Sequence, residues 1–450
     1  MKLGKKIGRY LPRLAIGFFT LTSLFSTSVS SAEGPGFSLT PFSRVAVIGP
    51  YIDPLEADAI AKEAATAIAT YVATVNDTLP PTDYPADWIL GGLEGDPTPE
   101  AVEAAILHIP TPFVINPDEP MSVTNRKKVN IVEMCNPLFA KKALGVLPVV
   151  ADDPTSTIIN GYIHAPALPC EVGIYADDEG NINVEMLKPE AIFTLFFTDV
   201  LFGEQMEDED FAAAIQALPI DVEAQIQTII MLALDQGGFT YIPNSQPLGP
   251  VYNSLEEVAD VVVTTPYQSP YVHFVYTKPD KSDFTTDDVS AVVASIIETL
   301  SLDGVHHPSL DAQLNMDDWR SARPAPLPVP GNLVIEACSP TNAIAAMGLG
   351  MEHATALPCE IAIKALNTDG VDGTETLMIT YLDPHFMFSA LFSDAFDSLT
   401  AEDFDAFMAL PPLVLEDLQT IVAKALRPNS LGFVVTRPEQ VVFEMLGTDE

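Results

Sequence analysis

What this chain most lacks is positive charge. Against 62 Asp and Glu stand 21 Lys and Arg, a formal net charge of −41 over 450 residues. A nucleic-acid binder needs a basic face to displace counterions from phosphates, so nucleic acid is excluded as a direct partner. The missing motifs remove further chemistries. There is no Gly-rich phosphate loop, no Gly-x-Ser-x-Gly elbow, no His-Glu-x-x-His and no Cys-x-x-Cys-His, and the turn Asp178-Glu179-Gly180 is too short for a calcium loop. Histidine occurs only seven times and cysteine four. No reaction motif stands out, and no cofactor is named by the sequence.

Long apolar runs are also scarce. Lys2, Lys5, Lys6, Arg9 and Arg13 precede the run Leu14 to Phe25, and Ser30-Ser31-Ala32 supplies small residues at a cleavage point. That order is expected of a secretory signal over residues 1–32, cut after Ala32. Its run of 12 residues falls short of the roughly 20 that span a bilayer, and no later stretch is expected to replace it. A retained N-terminal anchor is the alternative. The expected location is therefore periplasmic or secreted. Cleavage would remove five basic residues and no acidic ones, leaving 16 against 62, a formal −46. Charge of that size attracts cations and basic partners, although its plain reading is a solvated acidic surface suited to saline water.

What is present is stated twice. His164-Ala-Pro-Ala-Leu-Pro-Cys170-Glu-Val-Gly-Ile174 returns as His353-Ala-Thr-Ala-Leu-Pro-Cys359-Glu-Ile-Ala-Ile363. Val132-Glu-Met-Cys135-Asn-Pro137 is answered by Ile335-Glu-Ala-Cys338-Ser-Pro340, and Leu187, Pro189, Phe193 and Asp199 by Leu382, Pro384, Phe388 and Asp394. Gln227-Thr-Ile229 matches Gln419-Thr-Ile421. Each unit runs past a hundred residues, which makes it a domain and not a short solenoid repeat. The expected division is 33–245 and 246–450, with the join near Pro243 to Pro250.

Local signals predict an α+β fold of two homologous domains, each an antiparallel-rich sheet with helices packed mainly on one face. Arg44 to Ile48 reads as a strand. Asp53-Pro54 opens a helix through Val75, residues 78–98 form an irregular loop, and a second helix runs from Thr98 to near His108. Asn130 to Cys135 reads as a strand entering the cap Asn136-Pro137 and a helix to Leu144. Cys170 to Tyr175 and Ile182 to Leu187 form a hairpin, and Pro189 opens a Phe-rich helix to Phe202 that must pack on the sheet. Helix pairs 211–218 with 222–234, and 404–410 with 415–426, close the copies. The second domain has a strand Tyr271 to Tyr276, a helix Thr286 to Leu300 and a long loop 303–330.

The order strand, Cys-Asn-Pro, helix, Leu-Pro-Cys strand and hairpin resembles the family called domain of unknown function 302, over about residues 125–202 and 330–397. Glu133-Met-Cys135-Asn-Pro137 with Ala140, Ala143 and Leu144, then Leu168-Pro-Cys170-Glu-Val172 and Asp178-Glu-Gly180, carry the resemblance. The second copy departs by Ser339 for Asn136 and by a longer hairpin tip, 367–374. The resemblance implies a compact α+β fold able to pair with a second copy, and no established reaction.

Repetition selects the candidate site residues. Two cysteines per copy in an exported chain read first as disulfides, Cys135 with Cys170 and Cys338 with Cys359, each contributing about 3 to 4 kcal/mol in the chain-entropy model. The other reading is a reactive or metal-binding pair, because Cys135 and Cys338 each precede a helix cap where a thiol's pKa falls. His164 and His353 are ligand or metal candidates, weighed against a hydrogen-bonded structural role. The adjacent pair His306-His307 is a weaker metal candidate. Glu171 and Glu360, with Glu133 and Glu336, are repeated acids that could bind a ligand but are expected to face solvent. The leading functional expectation is a non-enzymatic binding protein whose two domains form an internal pseudo-dimer, with a pocket near the His-Ala-x-Ala-Leu-Pro-Cys segments. The rival is a redox, haem- or metal-binding protein using the repeated Cys and His.

Overall fold

Strand β1 (Phe42–Ile48) leads directly into helix α1 (Pro54–Thr74), and the rest of the first sheet is laid against that helix. The computed structural model describes residues 38–74, 88–93, 95–116, 118–119, 125–168, 170–264, 269–301, 320–321, 326–329, 332–357, 359–366, 375–427, 431–436 and 438–441. The expected signal segment 1–32, much of the loops 78–98 and 303–330 with His306, His307 and Trp319, and the tip 367–374 lie outside them.

The first half continues through β2 (Ile89–Leu90), α2 (Pro99–Ala105), β3 (Leu107–Val114), β4 (Arg126–Cys135), α3 (Pro137–Ala143), β5 (Cys170–Ala176), β6 (Ile182–Leu187), α4 (Pro189–Phe196), α5 (Thr198–Leu201), α6 (Glu209–Gln236) and β7 (Tyr241–Leu248). Its sheet is antiparallel in the order β2–β4–β5–β6–β1–β7, with β3 also on β4. After α7 (Leu255–Thr264) the second half gives β8 (Tyr271–Thr277), α8 (Thr286–Ser301), β9 (Arg320–Ser321), β10 (Leu327–Val329), β11 (Asn332–Cys338), α9 (Pro340–Met347), β12 (Cys359–Leu366), β13 (Thr376–Leu382), α10 (Pro384–Leu391), α11 (Ser393–Phe396), α12 (Ala401–Met408), α13 (Leu410–Ala425) and β14 (Glu439–Val441). Its sheet, β10–β11–β12–β13–β8–β14 with β9 on β11, repeats the first. The fold is thus α+β, and the sequence repeat is a repeat of topology.

Alternation along the strands decides what each sheet face meets. In the first half Val132, Val172, Ile174 and Val184 pack under Ala57, Ala61, Ala64 and Ile68 of α1 and Ile226, Ile230 and Leu234 of α6. Buried alanines let α1 lie close to the strands. The second half does the same with Val292 and Ile296 of α8 and Leu418 and Ile421 of α13 over Ile335, Ile361 and Ile379. Asn136 caps α3 by accepting from the Leu138 and Phe139 amides, and Ser339 caps α9 by accepting from Asn342.

Four elements differ from expectation, each for an identifiable reason. The second helix stops at Ala105, and Leu107–Val114 is a strand; its Pro110 and Pro112 obscure it in sequence but are tolerated at a sheet edge. The Phe-rich helix breaks at Phe197 into α4 and α5. The pair 211–218 and 222–234 is one helix, α6, passing through Pro219. The join near Pro243 to Pro250 falls on β7, an edge strand beside β1, so the first sheet extends to Leu248. In addition, Glu209–Gln236 and Ala401–Ala425 are long and apolar enough to cross a membrane by length and composition, contrary to the expectation that no later stretch would be. Both bury apolar residues against the sheets.

The second face of each sheet does not meet water. It meets the other half. The 3-10 turn Gly161–Ala167 from the first half lies on β11, β12 and β13, while Met351–Ala356 from the second lies on β4, β5 and β6. Leu107, Ile109, Val129, Ile131 and Tyr175 there form one cluster with Ala343, Met347, Met351 and Ala354. Residues 39–450 consequently form one compact unit. Gly173 shows how close the exchanged turn approaches, since a Cβ built on it would stand 2.9 Å from Thr355 Cγ2. Gly173→Ala is therefore expected to lower the unfolding free energy by about 1 to 2 kcal/mol, the scale of overpacking. In urea titrations Thr355→Ser, which removes that methyl, should recover most of the loss; a neutral Gly173→Ala would contradict the close approach.

Candidate functional site

The two repeated histidines sit inside the exchanged turns, and both are 0 % exposed. His164 stacks on Phe197, 4.0 Å between centroids, and His353 lies over the equivalent Phe392 at 4.2 Å. Each faces the matching aspartate of the repeat: His164 Nε2 is 3.3 Å from Asp199 Oδ2, and His353 Nε2 is 3.6 Å from Asp394 Oδ1. The break between α4 and α5 is what turns Asp199 toward this ring. Each ring also meets the first residue of the other half's first strand. His164 packs edge-on to Tyr271, and His353 edge-on to Phe42. The Tyr271 hydroxyl donates to the Phe196 carbonyl oxygen at 3.0 Å and lies 3.1 Å from His164 Nδ1. Its one proton is committed to Phe196, so Nδ1 of His164 is the donor. His273 stands beside Tyr271, and burial, with His164 second, pushes its pKa down to about 3.

The repeated acids were expected at the surface, and the structure corrects this. Glu171 and Glu360 are 3 % and 6 % exposed, and Glu133 and Glu336 are buried with them. Glu133 faces Glu171 across β4 and β5, and Glu336 faces Glu360 across β11 and β12. These positions alternate with the helix-facing ones, so all four point at the interface between halves.

The expected disulfides Cys135–Cys170 and Cys338–Cys359 are absent, although all four cysteines lie among the described residues. Register is the reason. Cys170 pairs with Met134, not Cys135, and Cys359 pairs with Ala337, not Cys338. In the second copy that offset places Cys359 against its own half's helices and Cys338 in the interface cluster, whereas Cys135 and Cys170 both line one cleft of the first half as free thiols. Nor is the Cys135 thiol acidic. Burial raises it well above its usual range and pushes Cys170 and Cys359 up to about 12, with Glu360 the next contributor for the latter two.

Two clefts open where α3, α4 and α6 converge, and where α9, α10 and α13 do. They enclose about 490 and 540 Å³, open mouths included. Their walls correspond position by position: Ala140 and Ala343, Ala167 and Ala356, Leu168 and Leu357, Cys170 and Cys359, Ile192 and Met387, Phe193 and Phe388. The repeated segment is thus divided, its histidine facing the other half and its Ala, Leu and Cys lining a cleft.

Among the described residues, two groups of side chains could hold a metal ion. In each, one ligand atom per residue lies within 4.8 Å of the others: Glu133, Glu336 and Glu360 at the interface, and Glu352, His353 and Asp394 nearer the surface. Of the residues around the histidines, Asp199 and Asp394 are visible in the repeat itself. Tyr271, Glu352 and His273 carry no repeat signal and emerge only from the fold. Comparison with protein-family models, curated proteins and solved structures finds no match to this chain.

Beside these groups Arg44 binds buried Glu185, Nε and Nη2 each 2.8 Å from Oε1, and the Tyr175 hydroxyl donates to the same oxygen at 2.9 Å. Burial raises Glu185 from the ordinary glutamate range to about 6, against the lowering by Arg44. The folded state therefore holds this proton more tightly than the unfolded chain. The stability it confers is present below the ordinary range and lost as pH rises through about 6, amounting to about 2 kcal/mol. Relative to wild type, Glu185→Gln should gain that amount between pH 4.5 and 7 in thermal melts; a pH-independent difference would show that the carboxyl is not perturbed.

Proposed function

We propose that this chain is an exported tandem-domain binding protein, related in its duplicated core to domain of unknown function 302, whose two equivalent clefts each take a small apolar ligand. The observation that carries the reading is the paired clefts. Phe139 has become Asn342 and Ile192 has become Met387, yet both linings stay open and predominantly apolar. Close packing would fill a cleft that served nothing, since unfilled apolar space is destabilising. A mainly apolar, concave wall suits the apolar part of a small molecule. The redox rival is weakened by thiols that are buried and protonated. Export is supported by the basic, apolar and small-residue order of residues 1–32.

The neutral fluorescent probe N-phenyl-1-naphthylamine tests the reading. Two equivalents are expected to bind per chain, with one lost in Ala167→Phe, the other in Ala356→Phe, and both in the double variant, while circular dichroism stays unchanged. Folded variants that bind as wild type, or a wild type that never brightens the probe, would overturn it.

A further inference from the structure

The duplication holds its own control experiment, because the two histidine sites have diverged. In the first copy Nδ1 of His164 is held by the Tyr271 hydroxyl and its preceding residue is Ile163. In the second copy the equivalent ring meets Phe42, which has no hydroxyl, and the preceding residue is Glu352. His353 is fully buried, and neither of its ring nitrogens has a hydrogen-bond partner among the described residues. An orphaned buried imidazole is costly unless something else occupies it.

We propose that Glu352, His353 and Asp394 form a binding site for one first-row divalent cation, absent from the first copy and separate from the two clefts. One imidazole nitrogen with two carboxylates suits zinc or a neighbouring ion better than the oxygen-only preference of magnesium or calcium. The 3.6 Å between His353 Nε2 and Asp394 Oδ1 is too long for a good hydrogen bond. It is close to the roughly 3.4 Å edge of a tetrahedron with bonds of about 2.1 Å. Glu352 has its carboxylate within 4.8 Å of both. Asp394, 31 % exposed at its side chain, gives the ion a route in and leaves room for water as the remaining ligand. The first copy cannot do this: its third ligand is an isoleucine, and Tyr271 has already engaged the ring.

Cobalt(II) is the direct probe, titrated in high salt so that diffuse binding to the acidic surface is suppressed. The metal-stripped full chain should take up one equivalent, giving visible ligand-field bands that zinc displaces, and a calorimetric stoichiometry of one. Asp394→Asn and Glu352→Gln, both at accessible positions, should each weaken binding roughly tenfold or more, on the scale known for perturbing a metal's ligand environment. His353→Gln should abolish the bands, and His164→Gln should leave them unchanged. Absence of a saturable single site in the wild type, retention of full affinity in Asp394→Asn, or equal loss in His164→Gln would each overturn the proposal.

Discussion

A β-sheet with helices on one side has a second face to cover, and everything else in this protein follows from how that face is covered. Each half covers the other's. The turns Gly161–Ala167 and Met351–Ala356 cross over and seat on the opposite sheet, so burial of the second face is reciprocal. One half taken alone would expose Ile131, Val129 and Tyr175, or Ala343, Met347 and Met351, together with two glutamates facing each other. The duplication is thus a condition of the fold and not two independent modules in series.

The exchange also explains where chemistry collects. Histidines and acids of each copy, with Cys338 of the second, lie at the shared interface, while the helix-side faces are apolar. Copies of one arrangement placed against different neighbours can then diverge. Tyr271 engages one histidine as a structural hydrogen-bond partner; Phe42 leaves the other available. The clefts lie against the Leu and Cys of the same repeated segment, so one stretch of chain serves both the interface and the cleft wall.

Much of this is legible in the sequence because repetition is insensitive to local ambiguity. The tandem organisation, the hairpin from Cys170 to Leu187 and the capped helices after Asn136 and Ser339 follow from matched residues and cap chemistry. Asp199 and Asp394 stand in the same match, although nothing local shows that they face the histidines. Other features depend on register or on a partner surface. Matched cysteines do not reveal that Cys170 faces Met134 rather than Cys135 across the strands. Alternation identifies Glu171 and Glu360 as lying on the face opposite the helices, but cannot tell whether that face meets water or protein. Prolines misled in both directions: they hid the edge strands Leu107–Val114 and Tyr241–Leu248, and Pro219 suggested a break in a helix that is continuous.

Cooperativity of unfolding bears most directly on this account. If the halves complete each other, calorimetry of the chain should show one transition whose calorimetric and van't Hoff enthalpies agree, coincident with the loss of fluorescence from Trp88, which is buried in the first half. Two resolved transitions, or first-half unfolding that leaves the second half's transition unmoved, would show that each half folds on its own and that the exchanged turns are an accessory contact.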